Sequence, residues 1–322
     1  MTVVSRRRLL ASGTAAGLLA TAGIPALAGA KRGGTLRLAL QGAHPTDRWD
    51  ARTHDDLFMR VMGQGCVFDC LTEIAASGEL VGELAVSWES SAEATLWTFD
   101  LRKGVTFHNG QPFGADDVIS SFQLHEGPGS RSLARPIVDE IIEMRKLGNH
   151  QVQFRLRSPN VDFPLLVADH RLLIYPAGQF GTAFAEGIGT GLYRTVLFEP
   201  GKRAIAKRVD GHYKDGRAGW FDVIDAVAVH DPEARLDALR SGRADAINAV
   251  QPAEANRLRR NPRLRLLETA GNQHIVLTPQ SADSEVLQAL RHGIDRRRLS
   301  DVGFGGTGSM GVDAPVGPRN QF

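Results

Sequence analysis

The stretch Trp97–Phe113, which spells WTFDLRKGVTFHNGQPF, decides how the rest of this sequence is interpreted. Every second residue from Trp97 to Leu101 is apolar, which is the period of a half-buried β-strand. Asn109-Gly110 is a strong signal for a tight turn. Asp116 and Asp117 then favour the positive end of a helix, expected over residues 114–124. The stretch therefore predicts a compact unit of strand, turn and helix.

Similar patterns on both sides of this unit predict a mixed α/β fold. Residues 35–40 and 151–157 alternate between apolar and polar, so each predicts a strand. Residues 223–229 are apolar on both faces, which is typical of a central strand covered by helices. A short helix and a further strand over 244–250 follow, and this order implies a parallel pair. Residues 284–299 are predicted to form one amphipathic helix.

Composition excludes several classes of protein. The 322 residues carry 38 Lys and Arg against 36 Asp and Glu, with 42% hydrophobic and 23% charged residues, which is ordinary for a globular protein. Disorder and a membrane bundle are thereby excluded. The formal charge of +2 falls to −1 without the first 28 residues, which hold three arginines and no acid. Near-neutrality argues against nucleic acid as a partner.

The first 28 residues resemble an export signal. A basic start containing Arg6-Arg7 is followed by a short apolar stretch and by Ala26-Leu27-Ala28, which fits cleavage after Ala28. The paired arginines predict the twin-arginine export machinery as a partner and a periplasmic location. An amphipathic surface helix is the less favoured alternative, because the stretch has no polar face.

No motif in the sequence makes a positive case for catalysis. Cys66 and Cys70 are too few for a disulfide framework, and as a pair four residues apart on a helix they are predicted to be core residues rather than metal ligands. Gly303, Gly305 and Gly308 fit G-x-G-x-x-G, but no strand precedes them, so a glycine-rich loop is expected. The histidines lack metal-ligand spacing. We therefore expect no catalytic residue, metal or cofactor.

Four stretches together resemble the extracytoplasmic solute-binding proteins, family 5, of peptide-type ABC transporters. Trp97–Phe113 and the helix start after it resemble the family signature W-x-F-x-L-R-x-G-V-x-F-H-N-G-x-P. Three further regions resemble the family in order along the chain: Gly33–Leu36, then Gly189–Tyr193 with Leu192 in place of the usual Pro, and last a region made of 224–245 and 289–296. The resemblance implies a two-lobed protein of the type II periplasmic-binding class. It also implies binding of peptides or similar small solutes, without bond-making, for delivery to ABC permease subunits.

The sequence also departs from the family pattern in length. Family members continue well beyond the helix predicted over 284–299, so the predicted organisation is a signal peptide (1–28), a first lobe (31–268) with an inserted subdomain (about 50–185), and a hinge crossing with the start of a second lobe (269–322). With half of the pocket absent, this length of chain is expected to bind ligand weakly or not at all.

The candidate ligand-binding residues lie in loops that are expected to face the cleft. Loops after strands in open α/β sheets lie at the ligand crevice and offer polar groups. The nominated residues are Gln41, Gly42, His44, Thr190, Gly191, Asn272, Gln273 and His274. An ordinary surface-loop role stays open for each. Two other functions also stay open: a non-binding fragment or paralogue, and an exported cofactor-dependent enzyme.

Overall fold

The computed structural model describes residues 32–127, 130–267 and 284–304. The predicted signal peptide and the candidate residues Asn272, Gln273 and His274 lie outside these ranges, as does the end of the glycine-rich segment from Gly305 onward. Within the described part, no helix is long and apolar enough to cross a membrane.

A five-stranded sheet organises the first layer of the fold. In spatial order its strands are β11 (Ala246–Ile247), β1 (Thr35–Leu40), β10 (Val223–Ala228), β9 (Arg203–Arg208) and β8 (Tyr193–Glu199). Strand β1 runs parallel to both β10 and β11, and β9 is antiparallel to both of its neighbours. The predicted parallel pair is confirmed, with β1 inserted between its two members.

A four-stranded antiparallel sheet forms a second layer. Its strands, in spatial order, are β4 (Ala85–Ser90), β5 (Leu96–Leu101), β7 (Gln151–Leu156) and β6 (Ile141–Gly148). A separate pair is formed by β2 (Thr72–Ile74) and β3 (Leu80–Gly82). The apolar face of β5 is buried as predicted, and the rings of Phe99 and Phe154 meet edge to face with centroids 5.6 Å apart. Aromatic contacts of this kind hold the interior of the second sheet together.

Nine helices in the described part connect and cover the sheets. In chain order they are α1 (Leu57–Met62), α2 (Ala115–Gln123), α3 (Arg135–Val138), α4 (Phe163–Leu166), α5 (Phe180–Glu186), α6 (Pro232–Arg240), α7 (Pro252–Arg259), α8 (Ser284–Gly293) and α9 (Arg296–Phe304). Helix α6 connects β10 to β11. It begins at Asp231, whose side chain accepts from Ala234 N at 2.7 Å, and it ends at Ser241-Gly242, where Gly242 has a φ of 72°.

The predicted strand, turn and helix unit is confirmed. Gly110 has a φ of 86°, which favours glycine in the turn. At the start of α2 the Asp117 carboxylate accepts from Gly114 N and from Ala177 N, both at 2.8 Å. Asp117 is therefore a buried capping residue that also fixes the segment before α5.

Some predicted elements are wrong in extent. The predicted 284–299 helix is two helices, because Asp295 begins α9 by accepting from Arg298 N at 3.0 Å. The helix predicted to carry Cys66 and Cys70 ends earlier: α1 stops at Met62 and continues as a π-helical turn over Gly63–Val67, so the two cysteines do not share a helix face. Both cysteines are nonetheless buried and free, as core residues should be.

The strands around the parallel pair also differ from prediction. Strand β10 is buried on one face only, since Ile224 and Ala226 are buried while Val227 is 39% exposed. Strand β11 is limited to two residues. One continuous apolar cluster includes residues of both sheets, among them Ile224 and Phe99. The boundaries of the predicted subdomain and lobes stay a prediction.

Candidate functional site

The carboxyl ends of three parallel strands meet at one edge of the five-stranded sheet. Strand β1 ends before Gln41, β10 before Val229, and β11 before Asn248. The Asn248 side chain accepts from Gln41 N at 2.7 Å, which ties the first strand end to the third. In open α/β sheets this edge is where ligands bind. Gln41 and His44 are both exposed there.

The side chain of Arg235, on α6, forms hydrogen bonds with the ends of all three strands at this edge. Its side chain is buried, and Nη1 donates to the carbonyl oxygens of Val229 at 2.7 Å and His230 at 2.8 Å. Nε donates to Asn248 O at 3.3 Å, and Nη2 is 3.4 Å from Gln41 Oε1. Among the described residues no carboxylate forms an ion pair with it. A guanidinium saturated by carbonyl groups holds the strand ends rigidly and leaves a positive charge beneath them.

The backbone at this edge is strained. Gly42 has a φ of 94° and is followed by Ala43 with a φ of 74°, while Ala249 after β11 has a φ of 50°. Alanine in the left-handed region costs free energy, and such residues persist where the surroundings hold them. A Cβ on Gly42 would also lie 2.9 Å from Asp56 Oδ1. This edge is therefore held in a specific shape.

The second predicted contact region, the turn containing Thr190 and Gly191, is buried against the loop that follows α1. Thr190 is 1% exposed, and its hydroxyl donates to Asp69 Oδ2 at 2.9 Å. A Cβ on Gly189 would lie 2.1 Å from Val67 O, and one on Gly191 would lie 2.3 Å from Cys66 O. The glycines are thus needed for close approach of two backbones.

A buried charge cluster, formed by Lys214 and the carboxylates of Asp69, Glu73 and Glu83, lies beside this turn. Lys214 Nζ is 3.2 Å from Asp69 and 2.7 Å from Glu73, and it also pairs with Glu83. Asp69 and Glu83 are each 1% exposed. The cluster joins the loop after β9 to the β2–β3 pair, so it fastens that pair to the five-stranded sheet.

Burial and charge set the protonation of this cluster. Burial, together with the neighbouring Asp69 charge, raises the pKa of Glu83 well above its usual range. Burial opposes ionisation of Asp69 too, but the charge of Lys214 holds the pKa of Asp69 below its usual range. Burial also disfavours the charged form of Lys214, yet Asp69 and Glu83 hold its pKa above the ordinary value. Burial opposes ionisation of Glu73 as well, but the charge of Lys214 also lowers the pKa of Glu73. Lys214 therefore pairs with the ionised carboxylates of Asp69 and Glu73, while the Glu83 carboxyl group favours its protonated form.

Two histidine rings, each in its neutral form, form hydrogen bonds with the backbone of the turn at Thr190 and Gly191. His108 Nε2 donates to Gly191 O at 2.8 Å, and its Nδ1 accepts from Gly189 N at 3.4 Å. His212 Nε2 donates to Thr190 O at 2.9 Å, and its Nδ1 accepts from Lys214 N at 3.1 Å. Burial lowers the pKa of both rings. Each accepting nitrogen must stay unprotonated for these bonds to exist.

The structure therefore separates the candidates into two groups. Gln41, Gly42 and His44 lie together at the strand-end edge, while Thr190 and Gly191 lie in the buried turn. A ligand contact stays a prediction for all of them. Sequence reasoning missed Arg235, Asn248 and Lys214. Nothing in the sequence distinguishes Arg235 from surface arginines on α6 such as Arg240, because burial of one helix face is decided by tertiary packing. Among the described residues, no cluster of His, Cys, Asp or Glu could hold a metal ion.

Comparison with known families defines the class of protein. A family model described as "Bacterial extracellular solute-binding proteins, family 5 Middle" matches residues 79–320. The chain belongs to this family, as the sequence resemblance predicted.

Individual relatives agree with that assignment. The chain is 26% identical over 260 residues to Di/tripeptide-binding protein 2 of Pseudomonas aeruginosa (strain UCBPP-PA14). This alignment covers 71% of this chain and 48% of the relative. It is 25% identical over 275 residues to Heme-binding protein A of Haemophilus influenzae (strain ATCC 51907 / DSM 11121 / KW20 / Rd), covering 76% of this chain and 50% of the relative. The chain spans about half the length of the curated relatives it matches.

A solved structure shows the same fold. The ABC transporter-associated periplasmic binding protein DppA from Helicobacter pylori, in complex with peptide STSA, is similar with a TM-score of 0.72 and 21% identity. The similarity covers 86% of this chain and 59% of that protein. The fold is thus the mixed α/β fold of the type II periplasmic peptide-binding proteins, present here in part.

Proposed function

We propose that this protein is the solute-binding component of an ABC transporter, and that the strand-end edge contributes one side of its ligand site. The observation that carries the proposal is the edge itself. Three parallel strands end there, Arg235 fixes their carbonyl groups, and Gln41 and His44 are exposed in a strained loop. Such a rigid edge with exposed polar groups suits recognition of a polar solute.

The proposed ligand is a peptide or similar small solute, and the proposed activity is binding without bond-making. The matched relatives are named as binding proteins for di- and tripeptides and for heme, which supports binding rather than catalysis. The buried charge beneath the edge favours a ligand group with partial or full negative charge, such as a peptide carbonyl or carboxylate. Permease subunits in the inner membrane are the proposed receivers of the ligand.

Calorimetric titration of the chain with a panel of dipeptides and tripeptides tests this proposal. At this length of chain we expect saturable binding weaker than micromolar. The Gln41→Ala variant should weaken it about tenfold, as expected for a lost hydrogen bond of ~1.4 kcal/mol to a polar ligand. Gln123 is exposed at the end of α2, so Gln123→Ala serves as the matched control. Absence of saturable binding would favour the non-binding fragment instead, and equal effects of the two variants would exclude the strand-end edge.

Export is proposed on separate grounds. The Arg6-Arg7 pair and the Ala26-Leu27-Ala28 site support translocation by the twin-arginine machinery and a periplasmic location. Replacing both arginines by lysine keeps the charge but removes the paired guanidinium groups. The variant should accumulate unprocessed inside the cell, as followed by fractionation and mass. Normal processing of the lysine variant would argue against this route.

A further inference from the structure

All five N–H groups of the Arg235 guanidinium are engaged within the chain. Its Nε, Nη1 and Nη2 atoms form one, two and two hydrogen bonds, with lengths from 2.7 to 3.4 Å. The acceptors are the backbone carbonyl oxygens of Val229, His230, Asn248 and Ala249, and the side-chain oxygen of Gln41. A hydrogen bond from this edge to a ligand must therefore come from another group than the guanidinium itself.

The Gln41 carboxamide is the acceptor in this set that also carries donors. Its Oε1 lies 3.4 Å from Arg235 Nη2, while the backbone N of Gln41 donates to Asn248 Oδ1 at 2.7 Å. Turning the amide over would set its NH2 group against the guanidinium, donor against donor, so the contact fixes which end faces Arg235. Gln41 is exposed, and among the described residues its Nε2 finds no acceptor. The two side-chain N–H groups of Gln41 are thus left for a ligand.

The charge of Arg235 strengthens these two donors. A guanidinium N–H group on the carbonyl oxygen of an amide polarises the amide, and hydrogen bonds in series polarise one another. An anionic acceptor gains most, because charge-assisted hydrogen bonds are about twice as strong as neutral ones. Asp56 lies beside Gly42, but its carboxylate is engaged at the start of α1, where it accepts from Met59 N at 3.0 Å. A carboxylate is therefore preferred to a neutral acceptor at Gln41.

We propose that Arg235 is a positioning residue of the ligand site, and that it orients the Gln41 carboxamide so that the NH2 group selects a ligand with a free carboxylate. This role presupposes the function proposed above and names the ligand group that the strand-end edge selects. A ligand with an amide in place of the carboxylate keeps one acceptor oxygen but loses the charge. An ammonium group has donors only and is disfavoured at the same position.

Titration of the ¹⁵N-labelled full chain with trialanine and with trialanine amide, followed by NMR, tests this role. The two peptides share the ammonium group and the side chains and differ only at the carboxyl end. Shifts are followed at all amide signals, including the side-chain amide of Gln41, which is assigned by its absence from the Gln41→Met variant. Chemical shifts report binding at millimolar concentrations, so the weak affinity expected at this length of chain is measurable.

The unchanged chain should bind trialanine about tenfold more tightly than trialanine amide, and trialanine should shift the Gln41 side-chain signal. Gln41→Met keeps the length of the side chain but removes the donors, so the two peptides should bind equally. Gln123→Met, at the exposed end of α2, is the matched control and should keep the tenfold preference. Arg235→Lys keeps the charge, but an ammonium has three N–H groups for five acceptors, so its preference should fall toward equal binding.

The mobility of the Gln41 side chain gives a second measurement that needs no variant of Arg235. By ¹⁵N relaxation the side-chain amide of Gln41 should be rigid, whereas that of Gln123 should be mobile. Equal mobility of the two amides, or an undiminished preference in an Arg235→Lys variant that circular dichroism shows to be folded, would overturn the positioning role.

The selection of a carboxylate and the proposed function fail in different ways. Equal binding of the two peptides by the unchanged chain, or an undiminished preference in Gln41→Met, would overturn the selection of a carboxylate and leave solute binding intact. Saturable shifts with neither peptide would count against the proposed function itself.

Discussion

Two loops that the sequence predicts to contact the ligand have opposite surroundings in the structure: one is exposed and the other is buried. The side chains of Gln41 and His44 in the loop after β1 are exposed, although Asn248 and Arg235 hold the backbone and side chain of Gln41. The turn at Thr190 is buried, and its hydroxyl and carbonyl groups are all engaged by Asp69, His108 and His212. The first loop is accessible to a solute, whereas the second joins the start of β8 to the segment after α1. Similar polar and glycine-rich composition therefore conceals different physical roles.

The largest effect expected from this comparison is at Lys214. Replacing Lys214, whose side chain is 18% exposed, with methionine leaves the acidic side chains of Asp69, Glu73 and Glu83 without their shared cation. We expect a loss of ~4 kcal/mol in the free energy of unfolding, as for other broken buried ion pairs. Lys146→Met is the matched control, because its partner Asp116 is 68% exposed and the loss there should be below ~1 kcal/mol. Urea unfolding of both variants measures the difference, and similar losses would show that the cluster does not fasten the β2–β3 pair to the five-stranded sheet.

A smaller effect is expected at Gly189. A Cβ there would lie 2.1 Å from Val67 O, so the backbones must separate. Gly189→Ala should cost ~3 kcal/mol in the free energy of unfolding, at the upper end for an overpacked site. A Cβ on Gly148 of β6 would meet no atom within 4 Å, so Gly148→Ala should have little effect. If thermal and urea unfolding gave the two variants the same stability, the close approach at the turn would not matter.

The smallest effect concerns pH. Burial lowers the pKa of His108 and His212 in the folded protein, so their contribution to stability is present above the ordinary histidine pKa and is lost as the pH falls below it. The free energy of unfolding should therefore decrease on acidification below about pH 6.5. His108→Gln should make this decrease shallower, since glutamine does not titrate.

The exposed loop supplies the control for this pH experiment. His44 is exposed, and its ring contacts Thr46 Oγ1 at 2.7 Å within its own loop. His44→Gln makes the same chemical change without touching the buried turn, so the pH profile of urea unfolding should match that of the unchanged chain. A profile that changes equally in the His44 and His108 variants would remove the distinction between the two loops.

Local patterns were sufficient for the elements that depend on near neighbours. The alternation in β5, the turn at Gly110 and the cap at Asp117 are all present where the sequence predicts them. The break between helices α8 and α9 at Asp295 was not predicted from local patterns. Apolar spacing continues across the break, while the capping carboxylate that begins α9 carries a weaker signal.

The candidate site was predicted in part. Gln41, Gly42 and His44 could be nominated because the rule for strand ends depends on topology that the sequence implies. Arg235 and Asn248 could not be found in this way, because their importance comes from hydrogen bonds to Gln41, at a strand end far away in the chain. The burial of a single charged side chain cannot be recognised from the residues that surround it in the sequence.

The sequence by itself determined the family, the strands β1, β5, β7 and β10 and the parallel direction of β10 and β11, because each depends on short-range periodicity or on ordered motifs. Tertiary structure alone decided that Thr190 is buried and that Lys214 contacts three acidic side chains. The physical reason is that burial and charge pairing depend on which distant segments pack together. Arg235 and Arg240 are the same amino acid on the same helix, yet they have different roles because only Arg235 is buried when the distant segments pack together.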